Sequence, residues 1–267
     1  MHSSAHYRQL LARLPQIAVA ADQFQVLNSA KDFKSRILSL IANATQRIYL
    51  IALYLQDDEA GREILSALYA AKQRNPALDI KVFVDFHRAQ RGLIGKGKQG
   101  GNHLMYQAMA ARHEHQIEIY GVPVKGRELL GVLHLKGFIF DDILLYSGAS
   151  LNDIYLHQQE RYRFDRYHQI HSQALTCSMV NYVDDVFLKS EAVQRLDRPG
   201  IPGAKQLKGQ IRRFKHNLRT SQYRFESIPA NSQEIAITPM VGLGKRGNQL
   251  NRMIRNLVRA TEREIFI

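Results

Sequence analysis

His134 and Lys136 stand two positions apart in the run His134-Leu135-Lys136-Gly137-Phe138-Ile139-Phe140-Asp141, and Ser150 and Asn152 follow shortly after. These residue types suit the transfer of a group linked through phosphorus. An imidazole is a competent nucleophile at neutral pH, and an ammonium supplies a positive charge with three donors for phosphate oxygens. Ser150 and Asn152 add neutral donors that strengthen as charge builds in a transition state. Taken alone, a His–Lys pair on an apolar strand is more often a packed imidazole with a snorkelling ammonium. Asp141, Ser150 and Asn152, all at short range, shift the balance towards a catalytic cluster of His134, Lys136 and Asp141 with Ser150 and Asn152 as phosphate ligands.

The elements that must position them are legible from periodicity. Val132 to Phe140 is apolar at most positions, with β-branched and aromatic residues among them, and predicts a strand. A regular strand sends His134 and Lys136 to one face and Asp141 to the other, which gives Asp141 a supporting part. Asp142-Ile143 predicts the turn into a second strand, with Ser150 and Asn152 just past its end. Further strands are expected near 48–55, 80–86 and 117–120, and helices near 30–45, 58–74, 102–113, 173–189, 204–222 and 247–262. Strands alternating with helices predict a layered α/β domain.

Charge is the next signal. The chain of 267 residues carries a net charge of +13. From Gly200 to Phe225 there are seven basic residues and no acidic one, with Leu207, Ile211, Phe214 and Leu218 at helical spacing. That pattern predicts a helix with one buried side and a cationic side suited to anionic lipid headgroups or nucleic acid. Arg88 and Arg91, beside His87, are candidates for gripping a pyrophosphate. The Gly- and Lys-rich stretch from Arg91 to Gly101 reads equally as a phosphate-approaching loop or a surface linker. His113, His115, His168 and His171 match no strong zinc spacing, so no metal is expected. Arg161, Arg163 and Arg166 alternate with Tyr162, Phe164 and Tyr167, as in a twisted strand with a basic face. The longest apolar run, Ile48 to Leu55, is too short to cross a membrane. Leu10 to Ala21 is a short amphipathic stretch without a signal-peptide layout. The lone Cys177 makes no internal disulfide and suits a reducing cytosol.

An internal repeat is also visible. Asn43-Ala44-Thr45-Gln46-Arg47-Ile48-Tyr49-Leu50-Ile51 aligns without gaps with Arg259-Ala260-Thr261-Glu262-Arg263-Glu264-Ile265-Phe266-Ile267. Apolar residues precede both at helical spacing: Ile37, Leu38 and Ile41 in one copy, Met253, Ile254 and Leu257 in the other. The expected organisation is a first domain over 1–230 carrying the motif and the beginning of a second over 231–267, broken off inside its first strand.

Several segments together resemble a known family. They are Ile51–Leu55, Val84–Gly92, Tyr120–Pro123, Gly131–Phe138, Leu145–Asp153, Tyr155–Gln158 and Tyr162–His168. They resemble the phosphatidylserine synthases of Gram-negative bacteria, a branch of the phospholipase D superfamily. Ala149 departs from the Gly that many superfamily members place before the serine, and those members carry a second H-x-K-x4-D. The resemblance implies a phospholipase D-like layered α/β domain with a mixed central sheet flanked by helices, plus the start of a second repeat. It also implies transfer of the phosphatidyl group of CDP-diacylglycerol to L-serine through a phosphohistidine, without cofactor or metal. An association with the cytoplasmic face of the inner membrane follows from it too. With one motif present, the chain is expected to be an inactive half or to complete its site by homodimerisation. The alternative is a single-motif phosphodiesterase or nuclease active as a homodimer.

Overall fold

The computed structural model describes residues 3–91, 100–124, 133, 135–242 and 248–265. Its centre is a run of continuous apolar sequence. β3 (Arg47–Ile51) and β4 (Asp79–Asp85) pair in parallel, and β5 (Glu118–Val122) continues the parallel ladder beside β4. Strands enclosed on both faces lose the polar alternation of a half-exposed sheet, and Ile48, Leu50, Val82, Phe83, Val84 and Ile119 are all fully buried. α3 (Glu59–Arg74) makes the crossover between β3 and β4. Its N-cap Asp58 accepts from the Gly61 N–H at 3.0 Å, and Ile64, Leu65 and Leu68 turn inward. α2 (Ala30–Asn43), which leads into β3, is capped by Ser29 and buries Phe33, Ile37 and Ile41.

β6 (Gly137–Phe140) runs antiparallel to β3, and a hairpin returns it as β7 (Ile143–Tyr146). β8 (Tyr167–His171) and β2 (Phe24–Leu27) extend that side, and β9 (Gln194–Arg195) closes the other. The eight-stranded sheet therefore has the order β2-β8-β7-β6-β3-β4-β5-β9 and is mixed. A separate two-stranded sheet joins β1 (Ile17–Ala20) to β10 (Glu234–Ile237).

Several elements differ from expectation. The motif strand begins at Gly137 rather than Val132 among the described residues, so Lys136 precedes it. Gly137 has φ +146°, a backbone state reserved for glycine, and a Cβ there would lie 2.6 Å from Met179 Cε. Lys136 itself carries no strand, and the face expected for His134 lies outside the described residues. Leu10 to Ala21 is split between α1 (Ser4–Ala12) and β1. The stretch from Arg161 to Arg166 is irregular, and strand structure starts only at Tyr167. The helix expected to end at 189 becomes α6 (Gln173–Tyr182) followed by a π-helical turn over Val183–Leu188. The Gly-rich loop lies outside the described residues from 92 to 99.

α7 (Lys208–Thr220) buries Ile211, Phe214 and Leu218, with Leu207 at its N-cap, and exposes Lys208, Arg212, Arg213 and Arg219. Beyond the expected boundary at 230, β10 pairs with β1, and α8 (Gln249–Ala260) lies against α1. Arg8 bridges to Glu262 at 2.7 Å, tying these two ends together. The repeat is reproduced as a helix in both copies, with different surroundings. Ile37 and Ile41 are sealed in the core, whereas Ile254 and Leu257, on the counterpart helix, remain about half exposed. Residues 261–265 carry no strand, and 266–267 lie outside the described residues.

Candidate active site

Lys136 sits where the irregular approach to β6 meets the loop after β7. Its Nζ donates to Ser150 Oγ at 2.8 Å and to the Ala149 carbonyl at 3.3 Å. Ser150 and Ala149 are buried, so the ammonium is held in a poorly solvated cradle. Burial lowers the amine to about 8, and the nearby Asp165 carboxylate opposes that shift. A lysine so held has one donor direction left for an incoming anion, since its ammonium carries three N–H groups. His134 lies outside the described residues. Its neighbours do not: Leu133 is fully buried and Leu135 nearly so.

Asp85 explains how that segment is anchored. It ends β4, is almost fully buried, and caps α4 (Phe86–Gln90) through Oδ1, which accepts from the N–H of His87 at 2.9 Å and of Arg88 at 3.0 Å. Its Oδ2 accepts from the Leu133 N–H at 2.9 Å. One carboxylate thus joins the end of a central strand, the start of a helix and the residue beside His134. Burial pushes its carboxyl upward, and the three N–H groups, those of Arg88 and Leu133 foremost, pull it back. Asp85 was not among the candidates from sequence, although a carboxylate closing an apolar run just before a helix is an N-cap signal.

The loop from Ser150 to Asn152 is stitched to residues 54–56. Leu151 N–H donates to the Tyr54 carbonyl at 3.2 Å, and Gln56 N–H donates to the Leu151 carbonyl at 2.9 Å. Asn152 Oδ1 accepts from the Tyr155 N–H at 3.0 Å, and its Nδ2 lies 3.5 Å from the Tyr54 hydroxyl. The Arg88 guanidinium covers the Tyr54 ring at 5.3 Å, so Arg88 joins the cluster through that aromatic face. Arg91 is the exposed C-cap of α4.

Asp141 stands at the opposite end of β6 from Lys136. Four strand residues at about 3.4 Å each separate the two, so Asp141 does not touch what Lys136 touches. It occupies the β6–β7 turn with φ +50°, a conformation that Asp tolerates better than most residues. Its carboxylate accepts from the N–H groups of Thr45, Gln46 and Arg47 at 2.9, 2.8 and 2.9 Å, and from Thr45 Oγ1 at 3.1 Å. Asp141 therefore pins the hairpin to the start of β3. Partial burial raises its carboxyl, but the donors on Arg47, Thr45 and Gln46 outweigh that and hold it below 3.8. Stability from this carboxylate is present above pH 4 and lost as pH falls through the depressed value. Asp141→Asn is expected to cost about 1–2 kcal/mol at pH 7, since an amide offers one acceptor oxygen in place of two. The gap between variant and parent in urea melts should close below pH 4.

Two of the histidines weighed as metal ligands lie against aromatic rings. His113 stacks on Tyr69 with ring centroids 4.2 Å apart, and His168 lies 5.3 Å from the Phe24 ring. Among the described residues no group of three or more His, Cys, Asp or Glu side chains is arranged to hold a metal ion. No described helix is long and apolar enough to cross a membrane.

Comparison with known proteins shows what the chain is similar to. Residues 37–155 match the family model described as cardiolipin synthase, PLD-like domain. The chain is 43% identical over 265 residues to a CDP-diacylglycerol–serine O-phosphatidyltransferase of Haemophilus influenzae, covering 97% of this chain and 58% of that protein. It is likewise 43% identical to the enzyme of that name from Escherichia coli, covering 98% of this chain and 58% of the relative. The crystal structure of the Haemophilus influenzae phosphatidylserine synthase superposes with a TM-score of 0.88 at 42% identity, again over 97% of this chain and 58% of that one. The chain thus spans a little over half the length of the curated relatives it matches. In fold and sequence the chain is similar to the bacterial phosphatidylserine synthases, and residues 37–155 match a PLD-like domain.

Proposed function

We propose that this chain contributes the first-motif side of a phosphatidylserine synthase site, which moves the phosphatidyl group of CDP-diacylglycerol to L-serine. The observation that carries this reading is the 43% identity across nearly the whole chain to enzymes of that name. The Lys136–Ser150 cradle beside the His134 segment supplies the chemistry. In the proposed double displacement one imidazole attacks phosphorus, the bond to the CMP oxygen breaks, and a phosphatidyl-histidine forms. A second imidazole protonates the departing CMP, then takes the proton of the serine hydroxyl as that oxygen attacks phosphorus and displaces histidine. His134 is one of the two, and a second copy of the chain is one source of the other. Lys136 and Asn152 hold the non-bridging oxygens, and Arg88 and Arg91 the pyrophosphate.

A lipid substrate also calls for contact with a bilayer. The exposed Lys208, Arg212, Arg213 and Arg219 of α7 support peripheral attachment to an anionic leaflet, such as the cytoplasmic side of an inner membrane, at about 1 kcal/mol per basic residue near the surface.

The test is CMP release from CDP-diacylglycerol in mixed micelles, with and without serine, for this chain and its His134→Ala variant. Serine-dependent release lost in the variant is the expected result. Release that ignores serine, or that survives the substitution, would sink the assignment.

A further inference from the structure

A cavity of about 400 Å3 opens beside Lys136. Its floor is Leu144 of β7 and Ile170 of β8, one wall is Leu175 and Met179 of α6, and the far wall is Met240 and Leu250. Floor and α6 wall are deeply buried residues of the main core, so the cavity is a recess in the core surface and not a gap between loose segments. Tyr146, half exposed, stands at its rim. Its volume equals that of about thirteen liquid waters, yet its walls are chiefly Leu, Ile and Met, which offer water few of the partners it needs. Among the described residues, Lys136 is the cationic group lining it.

A recess that is apolar along its length and cationic at one point matches an amphiphile with an anionic head. We propose that this cavity takes the apolar part of the substrate, holding the first methylenes of an acyl chain while Lys136 holds the phosphate to which the glycerol is attached. The inference rests on the reading of the site as one for a nucleotide-activated phospholipid, and it names the part of that substrate which the recess accepts. Two features argue for a chain and against a compact ligand. The recess is bounded by side chains from five separate elements and has an open mouth, and its walls include two methionines, whose unbranched thioethers adapt to chains of differing shape. The amine and the apolar lining also share one backbone neighbourhood, because Gly137, next to Lys136, packs so closely that a Cβ there would lie 2.6 Å from Met179 Cε and 3.2 Å from Leu144 Cδ1.

The test titrates the full chain with dioctanoyl phosphatidate, below its micelle concentration, and separately with glycerol 3-phosphate. The protein carries 13C-labelled methionine methyls, so binding is read by calorimetry and by NMR together. The expected result is at least about tenfold tighter binding of the lipid, because burying even a few methylenes suffices for that. Met179 and Met240 methyl shifts should move with the lipid and stay in place with glycerol 3-phosphate. Met240→Trp, which fills the recess from an irregular segment, should bring the two ligands within about threefold of each other. Leu104→Trp, on the exposed face of α5 (His103–Ala110), should leave the preference unchanged. Equal affinity for the two ligands, or a lipid preference that survives in a folded Met240→Trp protein, overturns the proposal. So do methionine shifts confined to other positions, as when the recess holds solvent or a segment of protein. Loss of serine-dependent CMP release with the lipid preference intact overturns the functional reading and upholds the recess.

Discussion

Replacing Lys136 with methionine is expected to lower CMP release by about 10^2–10^3-fold while the protein stays folded. The magnitude follows from removing one preorganised charged donor aimed at the phosphoryl oxygens. The methionine stem preserves most of the volume of the lysine stem, so packing beside Leu135 and the recess should survive, and the loss should appear in rate more than in melting temperature. The same residue sets a pH limb. Burial has lowered its amine to about 8, so the cation predominates at pH 7 and is a minority by pH 9. Affinity for a phosphate-bearing ligand should therefore fall as pH rises through about 8. Asp165→Asn removes the carboxylate that opposes the shift and should move this limb to lower pH. Asp165 also packs on the same loop, since a Cβ on Gly148 would lie 2.7 Å from its Oδ2. A limb unmoved by Asp165→Asn would show that the two charges do not communicate. Activity of Lys136→Met within a few fold of the parent would remove Lys136 from the site.

The second large effect is expected at Asp85. Asp85→Ala leaves the N–H groups of His87, Arg88 and Leu133 without the carboxylate they share. Each unmet buried donor costs about 1–3 kcal/mol, and water admitted to the gap recovers part, so a loss of about 3–5 kcal/mol is expected in denaturant melts. Asp85→Asn keeps one acceptor oxygen and so retains either the α4 cap or the bond to Leu133. It should cost about 1–3 kcal/mol. If the retained bond is the cap, the protein remains folded while the His134 segment loosens. Activity should then fall further than stability alone accounts for, visible as faster amide exchange at Leu133 in step with lower turnover. A folded Asp85→Asn protein with full activity and unchanged exchange would show that the anchor does not govern the site.

Much of this was legible beforehand where a physical signal is local. The helices at α2, α3 and α8 follow from apolar residues at helical spacing behind Ser29, Asp58 and Asn248, whose side chains cap them. The largely apolar stretches of β3 and β4 read as strands, and the Ile211, Phe214 and Leu218 face of α7 is buried as its period predicts. The short strands β1, β2, β9 and β10 were not legible. β1 is four residues, and its partner β10 lies over two hundred positions away, so neither has a reason to be extended until the other arrives. Nothing local marks such a pair.

The candidate site divides in the same way. The types and spacing of His134, Lys136, Asp141, Ser150 and Asn152 are what point to phosphoryl chemistry, because what those groups do is a property of the side chains themselves. The cradle that desolvates Lys136, the anchoring of Leu133 by Asp85 and the recess walled by Leu144, Ile170 and Met179 were not contained in any one segment. Each depends on groups from different strands and helices meeting at hydrogen-bond or van der Waals distance. Asp141 shows the distinction most clearly. Its place in the motif announced importance, but the three backbone N–H groups that define its task belong to Thr45, Gln46 and Arg47, and only the pairing of β6 with β3 brings them to its carboxylate.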